Sequence, residues 1–454
     1  MALPEEGERG IDVVVRLTTL KLENFRGFPG FETSFHERVT VFIGENASGK
    51  SSILDAAAIA IGAFFLGFPD IRPPKIADAD IRRITHTTHG IDIERVYPVA
   101  ISASGVVDQQ ATSWRRELRQ ARGKTTHGDA RALQTQGELA WQRIANGEDT
   151  DVPVLAYYGA GRLWAQKRDS SLKALALASR ASGYVDCLEP ASSHKFFAAW
   201  MKRKEQERLQ DLDRAIGKGL ARTQGKGLPP PTVPALEAVS DAVRACVDGA
   251  VRVFFSVAHD ELRVEMTGGE VLPFSFMSDG YRNFLGMVAD LAWRAVRLNP
   301  HLGRDAARRA TGIVLIDEVD LHLHPRWQWS IIERLTTTFT GIQFIMTTHA
   351  PQVVASCEAS WLRVLPAGRT ATAPTMANAS QGKDVNAVLR EIMAAPERLP
   401  IVHNKLQQVR DLVEDRQTSA ARLALDEVAL LLGETDEQVV SLRWELADLE
   451  QHGP

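Results

Sequence analysis

Two apolar rhythms run through this chain. "VVVRLTTLKLENFRGF" (Val13–Phe28) alternates and is rich in β-branched residues, the pattern of a half-buried strand, expected to end near Asn24. "RVTVFIG" (Arg38–Gly44) is a continuous apolar run and predicts a second, fully buried strand. The helical rhythm takes over from about Lys50 to Leu66. A strand is then expected over Glu94–Gly105, a strand or a helix over Ser113–Arg122, and an apolar strand over Val152–Arg162. Charged helical periodicity from Ser192 to about Arg222 is interrupted by "GKGLPPPTVP" (Gly225–Pro234), a stiff extended link. Helix resumes over Ala235–Val247, followed by strands at Val251–Val257 and Glu261–Thr267. The last third alternates: strand "GIVLIDE" (Gly312–Glu318), helix "PRWQWSIIERLTTTF" (Pro325–Phe339), strand "IQFIMTTH" (Ile342–His349). Such alternation predicts an α/β fold with a parallel sheet. From Leu406 to Glu450 apolar residues such as Leu423, Val428, Leu431, Val439, Leu442 and Leu446 recur at helical spacing, suiting packing within the chain and contact between chains equally.

The 454 residues, 44% hydrophobic and 24% charged, have the balance of an ordinary globular protein with a large core. A net charge of −4 argues against a dedicated nucleic-acid coat, so contact with DNA would need a local patch. Trp114–Lys124 and Met201–Lys226 are the basic candidates, and both also read as solvated helix faces of mixed charge. No apolar run approaches the roughly 18 residues that span a bilayer, because Ala56–Phe68 is short and continues a phosphate-type loop. The acidic Met1–Gly10 lacks the apolar core of a leader. Cys187, Cys246 and Cys357 are scattered without metal-ligand or disulfide spacing. A cytoplasmic protein without a membrane partner is expected.

That loop, "GENASGKS" (Gly44–Ser51), fits G-x-x-x-x-G-K-[ST] and stands between a strand and a helix, the context that gives the motif meaning. Gly44 and Gly49 let backbone N–H groups turn toward phosphates, with Asn46 and Ser52 completing the contacts. Lys50 would reach the β- and γ-phosphates of ATP, and Ser51 would ligate Mg²⁺. Downstream, "IVLI" would place Asp317 and Glu318 at a strand's carboxyl end, Asp317 to hold the magnesium and Glu318 to act as general base. His349 ends the next expected strand and is a candidate γ-phosphate contact. A metal site built from His322, His324 and His349 lacks an evident further ligand. "DAD" (Asp78–Asp80) is expected in a surface loop.

"SFMSDGYRNFLGMVADLAWRA" (Ser275–Ala295), a Ser-x-Gly turn opening an amphipathic helix before the carboxylate strand, resembles the signature motif of ABC-type ATPases. The resemblance implies that Ser278 and Gly280, with Asn283, meet nucleotide held by another copy, so that the chain works as at least a dimer. The opening "LKLENFRGF" and the long stretch between loop and signature resemble the RecF, SMC and OLD-like branch rather than transporter subunits. They imply that Arg26 sits near the nucleotide or relays its state; otherwise it stabilises a turn.

"VLAYYGAGRLW", "ASGYVDCLEPASSHKFFAAWMKRKE", "GIVLIDEVDLHLHPRWQ" and "VNAVLREIM" together resemble the PtuA-like ATPases of Septu antiphage systems, relatives of which accompany some retrons. That family implies an HNH nuclease partner, PtuB, and self-association. The resulting expectation is an ABC-type head built from 1–65 and 251–380. An α/β insert at 66–191 holds the 152–162 strand, a helical insert spans 192–250, and a helical extension spans 381–454.

Two departures stand out. Asp279 replaces a glycine of the transporter signature, adding a carboxylate near the γ-phosphate. No glutamine directly follows "LAYYGAGR", leaving Arg162 or Gln166 to replace the usual magnesium-sensing residue. The chain carries no HNH or Toprim pattern of its own. Alternatives to the defence ATPase are a RecF-type repair clamp that binds DNA itself and a scaffold that holds ATP as a structural ligand.

Overall fold

A computed structural model describes residues 15–86, 92–161, 179–190, 195–217, 232–366, 372–395 and 398–452. Arg162, Gln166 and most of the Pro-rich link lie outside the described residues. The chain divides into two compact units, Met1–Lys383 and Asp384–Pro454.

Fourteen strands are described: β1 (Val15–Phe25), β2 (Phe28–Ser34), β3 (Val39–Ile43), β4 (Arg83–His86), β5 (Asp92–Arg95), β6 (Val99–Val107), β7 (Gln110–Leu118), β8 (Val154–Tyr158), β9 (Ala250–Ser256), β10 (Glu261–Met266), β11 (Val271–Pro273), β12 (Gly312–Ile316), β13 (Ile342–Thr347) and β14 (Leu362–Val364). Five of them form a parallel sheet in the order β14-β3-β13-β12-β8. β3, β8, β12 and β13 are buried at every position. Continuous apolar runs such as "VTVFI" and "GIVLI" suit strands covered on both faces. A four-stranded antiparallel sheet, β2-β1-β6-β7, stands beside it, and β1 shows the in–out alternation expected of a half-buried strand. Gln343 of β13 joins the two sheets: its side chain accepts from Leu17 N at 2.9 Å and donates to Leu17 O at 2.8 Å on β1. The segment 66–191 thus feeds β6 and β7 into the sheet begun by β1, and β8 into the parallel sheet.

Several local expectations are corrected. The helix after the phosphate loop runs Lys50–Ile61 and tightens into a 3-10 turn over Gly62–Gly67, where Phe64, Phe65 and Phe68 pack around Tyr184. Lys50–Gly67 has the length and composition of a membrane span, but 72% of it is buried within the protein. The single strand expected over Glu94–Gly105 is two, β5 and β6, parted around Pro98, which has no N–H for a ladder. Of Ser113–Arg122, the part up to Leu118 is strand, the end of β7, with Trp114, Arg116 and Leu118 inward, and 119–122 leave it through a turn. β2 was not expected; its Pro29 is tolerated because β2 is an edge strand. The long helix over Pro325–Phe339 is two, Pro325–Gln328 and Ile331–Thr338. Cys187, Cys246 and Cys357 are buried free thiols.

The second unit contains helices Pro400–Glu414, Thr418–Leu432 and Glu437–His452 around a core that includes Leu406, Leu425, Val428, Val439, Leu442 and Leu446. Of the apolar positions noted in the sequence, Leu423 and Leu431 are exposed, as are Leu430 and Trp444.

Candidate functional site

At the carboxyl ends of β3, β12 and β13 the structure opens a cleft of about 580 Å³. In parallel α/β sheets this crevice is where ligands bind. Asn46, Gly49, Lys50, Ser51, Ser52, Asp317, Glu318, His349 and Arg26 all line it. Gly44 opens the loop at φ 150°, and Lys50 Nζ folds back to donate to the carbonyls of Gly44 and Glu45, both at 2.8 Å. Gly49 sits at φ 100°, and a Cβ there would fall 2.3 Å from the Phe28 ring, so both conformation and space demand glycine. Within the loop the Ser48 hydroxyl is buried without a hydrogen-bond partner. Lys50 is 6% exposed; burial pulls its pKa down, and the nearby Asp317 and Glu318 oppose that pull.

Asp317 and Glu318 leave β12 through a fixed turn. Thr347 Oγ1 on the neighbouring β13 donates to Asp317 Oδ1 at 2.6 Å and accepts from Glu318 N at 2.8 Å. Glu318 has φ 49°, a left-handed conformation that costs a non-glycine residue of order 1–3 kcal/mol. Thr347 is therefore a positioning residue that the sequence did not reveal. Next along, Thr348 Oγ1 donates to Asp320 at 2.5 Å and so braces the turn that presents His349. Burial lowers the His349 pKa, and the Lys50 ammonium lowers it further, so the imidazole is neutral at pH 7.

Arg26 terminates β1 at φ 50° and bridges two carboxylates: Asp55 of the phosphate-loop helix at 2.5 Å and Asp80 at 2.8 Å. Burial works against the guanidinium, and Asp55 and Asp80 more than restore its charge. The expectation for "DAD" is corrected here. Asp80 is 4% exposed and pairs with Arg26, whereas Asp78 is the exposed partner of Arg83 and Arg95. Asp55 also accepts from Tyr157 Oη at 2.8 Å. The neighbouring Tyr158 points the other way on β8 and donates to Asp290 at 2.8 Å, which in turn pairs with Arg294 at 2.7 Å on the helix Asp279–Leu298. Adjacent tyrosines of one strand thus tie the phosphate-loop helix and the helix Asp279–Leu298 to the same sheet.

Ser278 and Gly280 do not line the cleft. Ser278 precedes the helix without capping it through its side chain. A Cβ on Gly280 would lie 1.9 Å from the His322 carbonyl oxygen, so the turn that opens this helix is pressed onto the segment after the carboxylates. Asp279 is paired with Arg282. The Asn283 amide is buried, and neither its oxygen nor its nitrogen has a partner. His322, His324 and His349 form no metal-holding group among the described residues.

Comparison with known proteins agrees with this architecture. An AAA domain family matches residues 19–222, and a family described as "AAA domain, putative AbiEii toxin, Type IV TA system" matches residues 191–355. The chain is 26% identical to the "Retron Ec83 probable ATPase" of Escherichia coli over 95% of this chain and 86% of that protein. It is 25% identical to the "Retron Vc95 probable ATPase" of Vibrio cholerae serotype O1 biovar El Tor, over 77% and 73% respectively. A shorter stretch, 16% of this chain and 10% of the relative, is 47% identical to Septu protein PtuA of Bacillus mycoides (strain KBAB4). Among solved structures, an SMC head bound to the C-winged helix domain of ScpA aligns at TM-score 0.48 and 14% identity, over 80% of this chain and 98% of that one. The chain is thus similar along most of its length to retron ATPases and over a shorter stretch to Septu PtuA, and its phosphate loop, carboxylate strand and parallel sheet are those of an ATP-binding α/β fold.

Proposed function

We propose that this chain is a magnesium-dependent ATP switch of antiphage defence. In this reading its cleft is completed by the signature turn of a second copy, and its output is a separate HNH nuclease. The observation that carries the reading is the convergence of Lys50, Ser51, Asp317, Glu318 and His349 on one cleft that Ser278 does not line. The cleft suits a triphosphate: glycine-permitted backbone, a buried ammonium, and the Ser48 hydroxyl still to be partnered. Mg²⁺ held by Ser51 and Asp317 would neutralise charge on the β- and γ-phosphates. Lys50 and the loop N–H groups hold the phosphates, and Glu318 takes the proton of the attacking water. His349, neutral and beside Lys50, donates toward the γ-phosphate. Ser278 and the positive end of its 20-residue helix close over that phosphate from the other copy. The ion pair with Arg282 offsets the added charge of Asp279.

Closure of two heads would reposition the segments 66–152 and 192–250 and so report nucleotide state to the nuclease. Nucleic acid is met through that partner or through basic patches on the head. The test is co-expression with an HNH protein encoded beside this chain, followed by pull-down with and without ATP. A retained complex whose nuclease activity changes with ATP is expected. Failure to retain the partner, with tight salt-sensitive DNA binding by the chain alone, would favour the repair-clamp reading.

A further inference from the structure

Beyond the nucleotide cleft, the same unit contains a second and larger cavity, of about 960 Å³, between the end of β7 and the segment before β4. Its lining is cationic: Lys75, Arg95, Arg116, Arg122 and Lys124, with Asp78 as the one carboxylate among its described lining residues. That carboxylate is already engaged by Arg83 at 3.1 Å and Arg95 at 2.9 Å.

Arg116 is the decisive residue. It is 1% exposed, and its hydrogen bonds go to two carbonyls, Ile59 at 3.2 Å and Pro74 at 2.7 Å. Its Nε has no partner, and neither does the buried Tyr97 hydroxyl, which lines the same cavity. Burial pushes the Arg116 pKa down to about 10, with no carboxylate to hold it up, so the side chain stays charged at pH 7. A buried cation without a counter-charge is costly. Arg294, by contrast, has Asp290, and the part-exposed Arg26 has Asp55 and Asp80. Arg363 is likewise buried against carbonyls, but its Nε is bonded to Ser34 O and it does not line this cavity.

We propose that this cavity is a binding site for a phosphate-bearing ligand, separate from the ATP cleft. Guanidinium groups grip phosphate oxygens in planar, charge-assisted fashion, and a cavity of this size holds a nucleotide-sized compound or the end of a strand. The site also abuts the nucleotide cleft. Ile81 lines both, and the turn Asp78–Asp80 has Asp78 facing the cavity and Asp80 paired with Arg26 on the cleft side. Occupancy of the cavity competes for Arg95, loosens its hold on Asp78, and so biases the turn that positions Arg26.

The test uses the full chain carrying Lys50→Ala, to silence the cleft. Inorganic pyrophosphate and a 5′-phosphorylated thymidine hexamer, with its unphosphorylated counterpart, are titrated calorimetrically. Saturable binding of at least one phosphate probe is expected, weakened at least tenfold by Lys75→Glu/Arg122→Glu/Lys124→Glu, three exposed positions whose replacement leaves the core intact. Tighter binding of pyrophosphate assigns a free phosphate compound, and tighter binding of the phosphorylated hexamer assigns a strand end. In a chain with Lys50 intact, the same triple change should leave ATP binding at the cleft in place, separating this site from that one. Absence of saturable binding by every probe, or binding unchanged by the triple variant, overturns the proposal.

Discussion

The nucleotide cleft and the basic cavity are separated by one turn, yet they balance buried charge in opposite ways. In the cleft Arg26 has two carboxylate partners, and Lys50 lies in the field of Asp317 and Glu318. In the cavity Arg116 meets only carbonyls. The first arrangement is compensated from within, so its geometry is set before nucleotide arrives, as a catalytic site requires. The second leaves a charge unanswered, which is how a site that waits for an anion differs from one that already holds its own. Carbonyl-only pairing is shared by the buried Arg363, so what sets Arg116 apart is the cationic cavity that its unpaired Nε accompanies.

The sharpest probe of the cleft side is Glu318→Gln. Turnover should fall by roughly 10²–10⁴-fold, the usual worth of a positioned general base, while ATP still binds. Steady-state hydrolysis alongside nucleotide binding checks this, and a variant with unimpaired turnover would favour the scaffold reading. A difference in stability tests the contrast itself. Asp80→Ala strands Arg26 with one carboxylate and should cost about 3 kcal/mol, near the lower end for breaking a buried pair because Arg26 is part-exposed. Arg116→Met removes an uncompensated charge and should change stability by no more than about 1 kcal/mol. Denaturant midpoints compare them, and equal losses would break the distinction.

The smallest effect concerns pH. His349 has its pKa lowered by burial and then by Lys50, so its proton is bound more weakly in the folded chain than in the unfolded one. Its contribution is complete above the ordinary value of about 6.5 and is lost as pH falls through the lower folded value. The acid limb of turnover should therefore lie below pH 6.5, and His349→Gln should remove it. A limb centred above pH 6.5 would contradict the assignment.

Sequence made the cleft legible because its parts are contiguous strings at strand ends: "GENASGKS" after β3 and Asp317–Glu318 after β12. Each motif carries its own context, and parallel pairing does the rest. The supports were hidden because they depend on pairing across distance. Arg26 and Asp80 are 54 positions apart, and Asp55 and Tyr157 are 102 apart. Neither spacing has a local signature, so Asp80 looked like a surface residue. Thr347 looked like an ordinary strand residue until β13 set it beside Asp317. In sequence the basic stretch Trp114–Lys124 suits a surface patch or a solvated helix face. Only the alternation of β7, with Arg116 turned inward beside Trp114 and Leu118, makes it the wall of a cavity.

The central claim is that each nucleotide cleft is completed by Ser278 of a second copy, and a mixing experiment tests it most directly. Chains carrying Lys50→Ala and chains carrying Ser278→Arg should each hydrolyse ATP negligibly alone. Mixed, they form some pairs in which an intact phosphate loop faces an intact Ser278, and turnover should reappear. A mixture that stays inactive, or a Ser278→Arg chain that is fully active by itself, would contradict the account.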